Sequence, residues 1–230
     1  MNTNTDPCSD PRHNLLLASL PDVEWQQWLP ELEPVNLRLG QVLSESGRTP
    51  AYVYFPTTAI VSLLYRTQDG DSSEIAVVGK DGVVGVSVFM GGNSTPSDAV
   101  VQSAGQAYRL RVQCVKDAMN RQGPVPGIVL VYAQALMAQV AQTAACNRYQ
   151  SIDQLMCRRL LMGLERLESA ALTMTQELLA DLLGVRREGV TAAALKLQRA
   201  GAIRYSRGQI DVLDRQMLQQ RSGQSGAMVA

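Results

Sequence analysis

The chain has 230 residues, of which 46% are hydrophobic and 18% charged, and its formal net charge is zero. That length predicts one large or two small domains with cores that need no metal or disulfide staple, and the composition excludes a disordered tail. No run of about 18 uninterrupted apolar residues occurs, and the first residues lack a basic start followed by an apolar core. Neither a transmembrane helix nor a secretory leader is expected, which makes the cytoplasm the expected compartment.

The cysteines, Cys8, Cys114, Cys146 and Cys157, form no CxxC pair, and the one histidine is His13. Zinc needs several ligands at short, repeated spacings, and a nucleophilic site would have to use His13 in a loose terminal segment. No metal, no cofactor and no enzymatic activity are therefore expected. The charge is unevenly spread. Residues 1–150 hold 10 Lys+Arg against 13 Asp+Glu, and residues 151–230 hold 11 against 8. A basic C-terminal part hints at a polyanionic partner.

In chain order, residues 1–13 read as a flexible arm. Residues 14–33 read as short helices broken at Pro21 and Pro30. From Pro34 to about Val115 the texture is β-rich, in the runs VNLRL, QVLSES, AYVYF, AIVSLLYR, EIAVVG, DAVVQSA and AYRLRV. Turn signals separate them at Gly40, Ser46-Gly47, Asp69-Gly70-Asp71, Asp81-Gly82 and Gly91-Gly92-Asn93. Many short strands predict an all-β sandwich or barrel. A helical reading starts near Asp117, breaks at Gly123-Pro124, and resumes as one long segment. In it Val129, Tyr132, Leu136, Val140, Thr143 and Asn147 recur at steps of three and four, a narrow seam suited to pairing with another long helix. The alternative is a helix packed on its own β domain. A second helix covers Ser151 to Glu168, with Leu155, Leu160, Leu164 and Leu167 inward.

Residues 173–230 read as helices at 175–183, 186–200 and 214–220, with two short strands around Arg207-Gly208. Three helices and a hairpin in that order make a winged helix-turn-helix. Residues 221–230 read as a disordered tail. In TMTQELLADLLGVRREGVTAAALKLQRAGAI, Thr175 caps the first helix and Gly184 ends it. Leu178, Leu179, Leu182 and Leu183 are its predicted buried face. The next helix is predicted to bury Val190, Ala194, Leu195 and Leu197, so its first turn presents Arg186, Arg187, Glu188 and Thr191. Arg donates twice to guanine and Glu accepts from cytosine, which suits major-groove reading.

The order and motifs from about residue 14 to 215 resemble the Crp/Fnr family of bacterial transcription regulators. The strongest match is ELLADLLGVRREGVTAAALKLQRAGAI; LRLGQVLSESG and GKDGVVG match more loosely. The resemblance implies an α+β protein: an N-terminal β-roll of the double-stranded β-helix (jelly-roll) type over 14–123, a dimerisation helix over 124–150 and a winged helix-turn-helix over 151–220. It also implies a DNA-reading trio in which Arg187 and Glu188 fill the first two places and Ala192 leaves the third empty. Thr175 and Gln176 join the DNA-facing set, with Lys196, Arg199, Arg204 and Arg207 as candidate phosphate contacts.

Members of the family that bind cyclic AMP carry Gly-Glu at a short helix of the roll and a later Arg-Ser or Arg-Thr that grips the phosphate. Here Gly85 is followed by Val86, and no Arg or Lys occurs between Lys80 and Arg109. Ordinary cyclic AMP binding is not expected. The segment VVGVSVFM reads either as roll core or as the lining of an apolar pocket, with Gly85, Val86, Ser87 and Ser97 as its candidate residues. The expected partners are double-stranded DNA with a palindromic operator, a second copy of the chain and RNA polymerase, with an unidentified effector and no membrane. The rival expectation is a binding module whose helix-turn-helix contacts protein.

Overall fold

The computed structural model describes residues 10–67, 72–121, 123–166 and 171–223. Most of the expected arm, Cys8, the turn at Asp69-Gly70-Asp71, Leu167 and most of the expected tail lie outside the described residues. The chain divides into two compact units, Met1–Arg66 with Ile75–Val140, and Thr67–Glu74 with Ala141–Ala230.

The first unit begins with a 3-10 turn, Pro11–His13, capped by the Asp10 side chain. Arg12 pairs with Asp22 at 3.0 Å and stacks 4.5 Å from the Trp25 ring, so this end of the expected arm is ordered. Helices α1 (Leu15–Ala18) and α2 (Asp22–Trp28) follow, then a 3-10 turn at Leu29–Glu31. Pro21 caps α2 and Pro30 sits inside the 3-10 turn, where the missing amide costs no helical bond.

The strands are β1 (Glu33–Leu37), β2 (Val42–Ser44), β3 (Tyr52–Pro56), β4 (Ile60–Arg66), β5 (Ser72–Val78), β6 (Asp98–Ser103) and β7 (Gly105–Arg111), with α3 (Val86–Phe89) between β5 and β6. They form two sheets, in the orders β1-β7-β3 and β2-β6-β4-β5. Pairings such as Val35↔Ala107, Leu37↔Gly105 and Val61↔Val101 place the small and branched side chains of both sheets in one cluster, with Val78, Val84 and Ala99. The reverse face of β3 and β7 (Val53, Phe55, Tyr108 and Leu110) packs with Leu17, Trp25 and Trp28. The Trp28 ring lies 6.0 Å from Phe55 and 6.4 Å from Phe89. In VVGVSVFM, Val83, Val88 and Phe89 belong to this core, so most of that segment is packing.

Helix α4 (Val112–Asn120) starts directly at the end of β7, five residues before the expected Asp117. Helix α5 (Val125–Tyr149) is 25 residues long. It is long and apolar enough to cross a membrane by length and composition, because apolar residues ring it with few charges. Val125 and Val129 are buried in the core of the first unit, and Tyr132 packs against that core and donates its hydroxyl to the Val83 carbonyl at 3.2 Å.

The second unit holds α6 (Ile152–Arg166), β8 (Ala171–Thr173), α7 (Gln176–Leu183), α8 (Arg187–Arg199), β9 (Ile203–Ser206), β10 (Gln209–Val212) and α9 (Arg215–Arg221). A break at Gln150–Ser151 separates α5 from α6, where the Ser151 amide and hydroxyl both donate to Gln154. Leu155, Met156, Cys157 and Leu160 of α6 meet Leu179, Val190, Leu197, Ile203, Ile210 and Leu218 in one core. The short β8 completes a three-stranded sheet, β8-β10-β9, beside the expected hairpin. The Cys157 thiol is pushed up to about 11 by its burial, so it is an apolar filler.

Candidate nucleic-acid interface

Thr175 has an extended backbone, and its hydroxyl accepts from the Leu178 amide at 3.1 Å, so it is the N-cap of α7. Leu179, Leu182 and Leu183 are buried and Leu178 is half-buried. Gly184 has φ +63°, a left-handed conformation that glycine adopts without a Cβ penalty. The Val185 amide reaches back to the Ala180 carbonyl at 3.1 Å, satisfying a helix-end acceptor across the turn.

That turn launches α8. Val190, Ala193, Ala194 and Leu197 are buried along one side. Leu195, expected among them, is 47% exposed, and Ala193 takes its place. The reason is helical phase. At 100° per residue, position 193 falls within about 60° of 190 and position 195 nearly opposite it. Arg186, Arg187 and Glu188 are exposed at the start of α8, and among the described residues none of the three makes a side-chain hydrogen bond or ion pair. The Thr191 hydroxyl lies 3.0 Å from both Gln176 Oε1 and the Arg187 carbonyl and donates to that pair, so Thr191 and Gln176 brace α8 against α7. Lys196 donates to Asp153 at 2.9 Å, so its charge already has a partner on α6.

In the β9–β10 hairpin, Arg204 sits opposite Asp211, and the turn is made by Arg207 and Gly208. Both have positive φ, +51° and +81°, the pattern of a type I′ turn. Gly208 fits it freely; Arg207 is the one non-glycine residue with positive φ among the described residues. The Tyr205 hydroxyl donates to the Met174 carbonyl at 2.9 Å and anchors the hairpin to the chain entering α7. Arg186, Arg187, Glu188, Arg199, Arg204 and Arg207 are all exposed.

The roll residues named from sequence fall into different settings. Gly85 caps α3 with φ +97°, and Val86 packs against the core with Trp28 and Phe55. The Ser87 hydroxyl is buried with no hydrogen-bond partner among the described residues, and Ser97 is buried with its carbonyl accepting from Thr95 at 3.1 Å. Next to Ser97 stands Asp98. Its carboxylate accepts from the Ser46 amide and from Arg66 Nε, both at 2.8 Å. Burial opposes the charge, but these two donors outweigh it and hold the carboxyl below its ordinary range.

The expected seam on α5 is partly taken up within its own unit. Val129 and Tyr132 are spent on the core there, and Leu136, Val140 and Thr143 are half-buried. Away from the buried Val125, Val129 and Ala133, Leu130 (64%), Val131 (69%) and Met137 (67%) are exposed. Because apolar residues encircle α5, spacing alone could not tell the two sides apart.

Two family models match, a cyclic nucleotide-binding domain over residues 34–122 and a Crp-like helix-turn-helix domain over residues 156–221. No curated protein matches the chain. Among solved structures, a Crp/Fnr-family protein from Eubacterium rectale has 16% identity and a TM-score of 0.74, covering 92% of this chain and 99% of that one. FixK2 from Bradyrhizobium japonicum has 17% identity and a TM-score of 0.72, covering 85% and 99%. A Crp/Fnr-family transcriptional regulator from Thermus thermophilus has 21% identity and a TM-score of 0.68, covering 84% and 100%. With both domains matched in this order, the chain belongs to the Crp/Fnr family of DNA-binding transcription regulators and is not an enzyme.

Proposed function

We propose that the protein acts in the cytoplasm as a homodimer that reads a palindromic operator. The observation that carries this reading is the first turn of α8, where Arg187 and Glu188 stand exposed with no side-chain hydrogen bond or ion pair among the described residues. Arg187 reads guanine through O6 and N7, and Glu188 accepts from cytosine N4. Arg186, Arg204 and Arg207 hold phosphates and set the register. Lys196 contributes less, because a phosphate must compete with Asp153 for it.

The exposed apolar side of α5 supports the homodimer. Leu130, Val131 and Met137 need a cover, and Ala138, Ala141 and Ala145 on the same side permit close approach of a second helix. Two recognition helices would then meet successive major grooves about 34 Å apart. RNA polymerase is a further partner proposed from the family resemblance.

The roll does not hold cyclic AMP in the family's usual way. Val86 offers no carboxylate for a ribose hydroxyl, and Asp98 would repel a phosphate where an arginine should grip it. Its effector is uncharged or weakly polar, or the protein binds DNA without one and its abundance is the control.

Selection from randomised duplexes with the purified protein tests this reading. Enrichment of an inverted repeat with half-sites one helical turn apart is the expected result. No enrichment, together with no salt-dependent duplex affinity, overturns it in favour of a protein-contact role. On the enriched duplex, Arg187→Ala should weaken binding by roughly 1–3 kcal/mol and relax one base preference. Equal affinity of mutant and wild type would remove Arg187 from the reading set.

The wing offers a separate expectation. Arg207→Asn relieves a left-handed arginine and should raise stability by about 1 kcal/mol in a denaturant titration. If Arg207 touches phosphate, the same change lowers the salt slope of duplex binding by about 1. An unchanged slope would mean the strain serves something else.

A further inference from the structure

The middle of the exposed side of α8 is apolar where a groove-reading helix ordinarily presents donors and acceptors. Opposite the buried Val190, Ala193, Ala194 and Leu197, this side presents Glu188, Thr191, Ala192 and Leu195 in steps of three and four. Ala192 is exposed, and Leu195 is 47% exposed. Thr191 has committed its hydroxyl proton to Gln176 and the Arg187 carbonyl, so it has no donor left for a base, while its methyl group remains.

A single exposed leucine is ordinary. Three adjoining apolar groups on the same side as the exposed Arg187 and Glu188 are a patch that shares their occupant. The major groove displays one apolar group, the C5-methyl of thymine. Ala192 and Leu195 are about 4.5 Å apart along the helix axis, close to the roughly 3.4 Å base step, so the patch spans neighbouring bases.

We infer that Thr191, Ala192 and Leu195 read thymine methyl groups, and that each operator half-site carries thymine beside the base pairs read by Arg187 and Glu188. This inference rests on the DNA-reading function proposed above. It assigns specificity to a stretch of helix in which Ala192 and Leu195 carry no side-chain donor or acceptor.

Replacing each thymine of the enriched duplex singly with deoxyuridine tests it, because only a methyl group is lost. Binding of the full-length protein should weaken about four-fold at one or two positions per half-site. Leu195→Ala, an exposed change that leaves the core intact, should cut the deoxyuridine effect at its own position to below about two-fold. If every deoxyuridine duplex binds within about two-fold of the parent, the methyl-reading inference falls while DNA reading stands. If Leu195→Ala leaves the deoxyuridine sensitivity unchanged, Leu195 is not a reader. Failure to enrich any duplex overturns the DNA-reading function, and this inference with it.

Discussion

Replacing Glu74 with alanine should cost about 3–5 kcal/mol of stability in the second unit. Arg159 Nη1 lies 2.6 Å from Glu74 Oε1, and the two side chains are 3% and 8% exposed. Removing the carboxylate leaves a guanidinium out of water with its main countercharge gone, and that desolvation is what the mutant must bear. The loss therefore does not measure what the pair contributes. The double variant Glu74→Leu with Arg159→Met removes both charges and fills the space, and it should recover to within about 1 kcal/mol of the wild type. Urea titration followed by far-ultraviolet circular dichroism, set against the tryptophan fluorescence of the first unit, isolates the transition of this unit, which carries α6 to α9. A loss below about 1 kcal/mol for Glu74→Ala would show that water reaches the pair in solution.

Asn14 should be nearly as costly to replace. It is 0% exposed and uses its whole amide. Its Nδ2 donates to the carbonyls of Pro56 and Gly82 at 2.9 and 2.8 Å, and its Oδ1 accepts from the amides of Leu16 and Leu17 at 3.1 Å. Asn14→Ala strands two carbonyls and uncaps α1, an expected loss of about 3–5 kcal/mol. Asn14→Asp keeps the cap but turns a carboxylate toward two carbonyl oxygens. The folded state then raises the carboxyl above its unfolded value of about 3.9. The sign follows from that: stability is highest where the group stays protonated and is lost as pH rises through the folded value. The deficit of Asn14→Asp should therefore shrink from pH 7 to pH 5, whereas that of Asn14→Ala should not. Both tryptophans, Trp25 and Trp28, lie in the first unit, so their fluorescence reports its unfolding alone. A parallel pH trend for the two variants would sink this account of Asn14.

The winged helix-turn-helix was legible because its signals are local. The Thr175 cap, the Gly184 stop, the Arg-Gly turn and the leucine spacing of α7 each act within a few residues, and each appears where the sequence places it. The third strand, β8, was not legible. Three residues carry no period, and its pairing with β10 is made across some forty residues of chain. Leu195 was misplaced for a smaller reason. Leucine is the stronger apolar signal, and the alanine at 193 that lies in phase with Val190 is a weak one.

The sequence by itself determined the order of elements, the two-domain family plan and the residues that open α8, since caps, turns and side-chain types are properties of short stretches. Only the tertiary structure decided which side of α5 is spent on its own unit. A helix that is apolar all round has no phase until something packs against it. The tertiary structure alone also brought Glu74 to Arg159, across 85 residues, and Asn14 to Gly82, across 68. Such partners are chosen by folding in three dimensions, and spacing along the chain holds no trace of them.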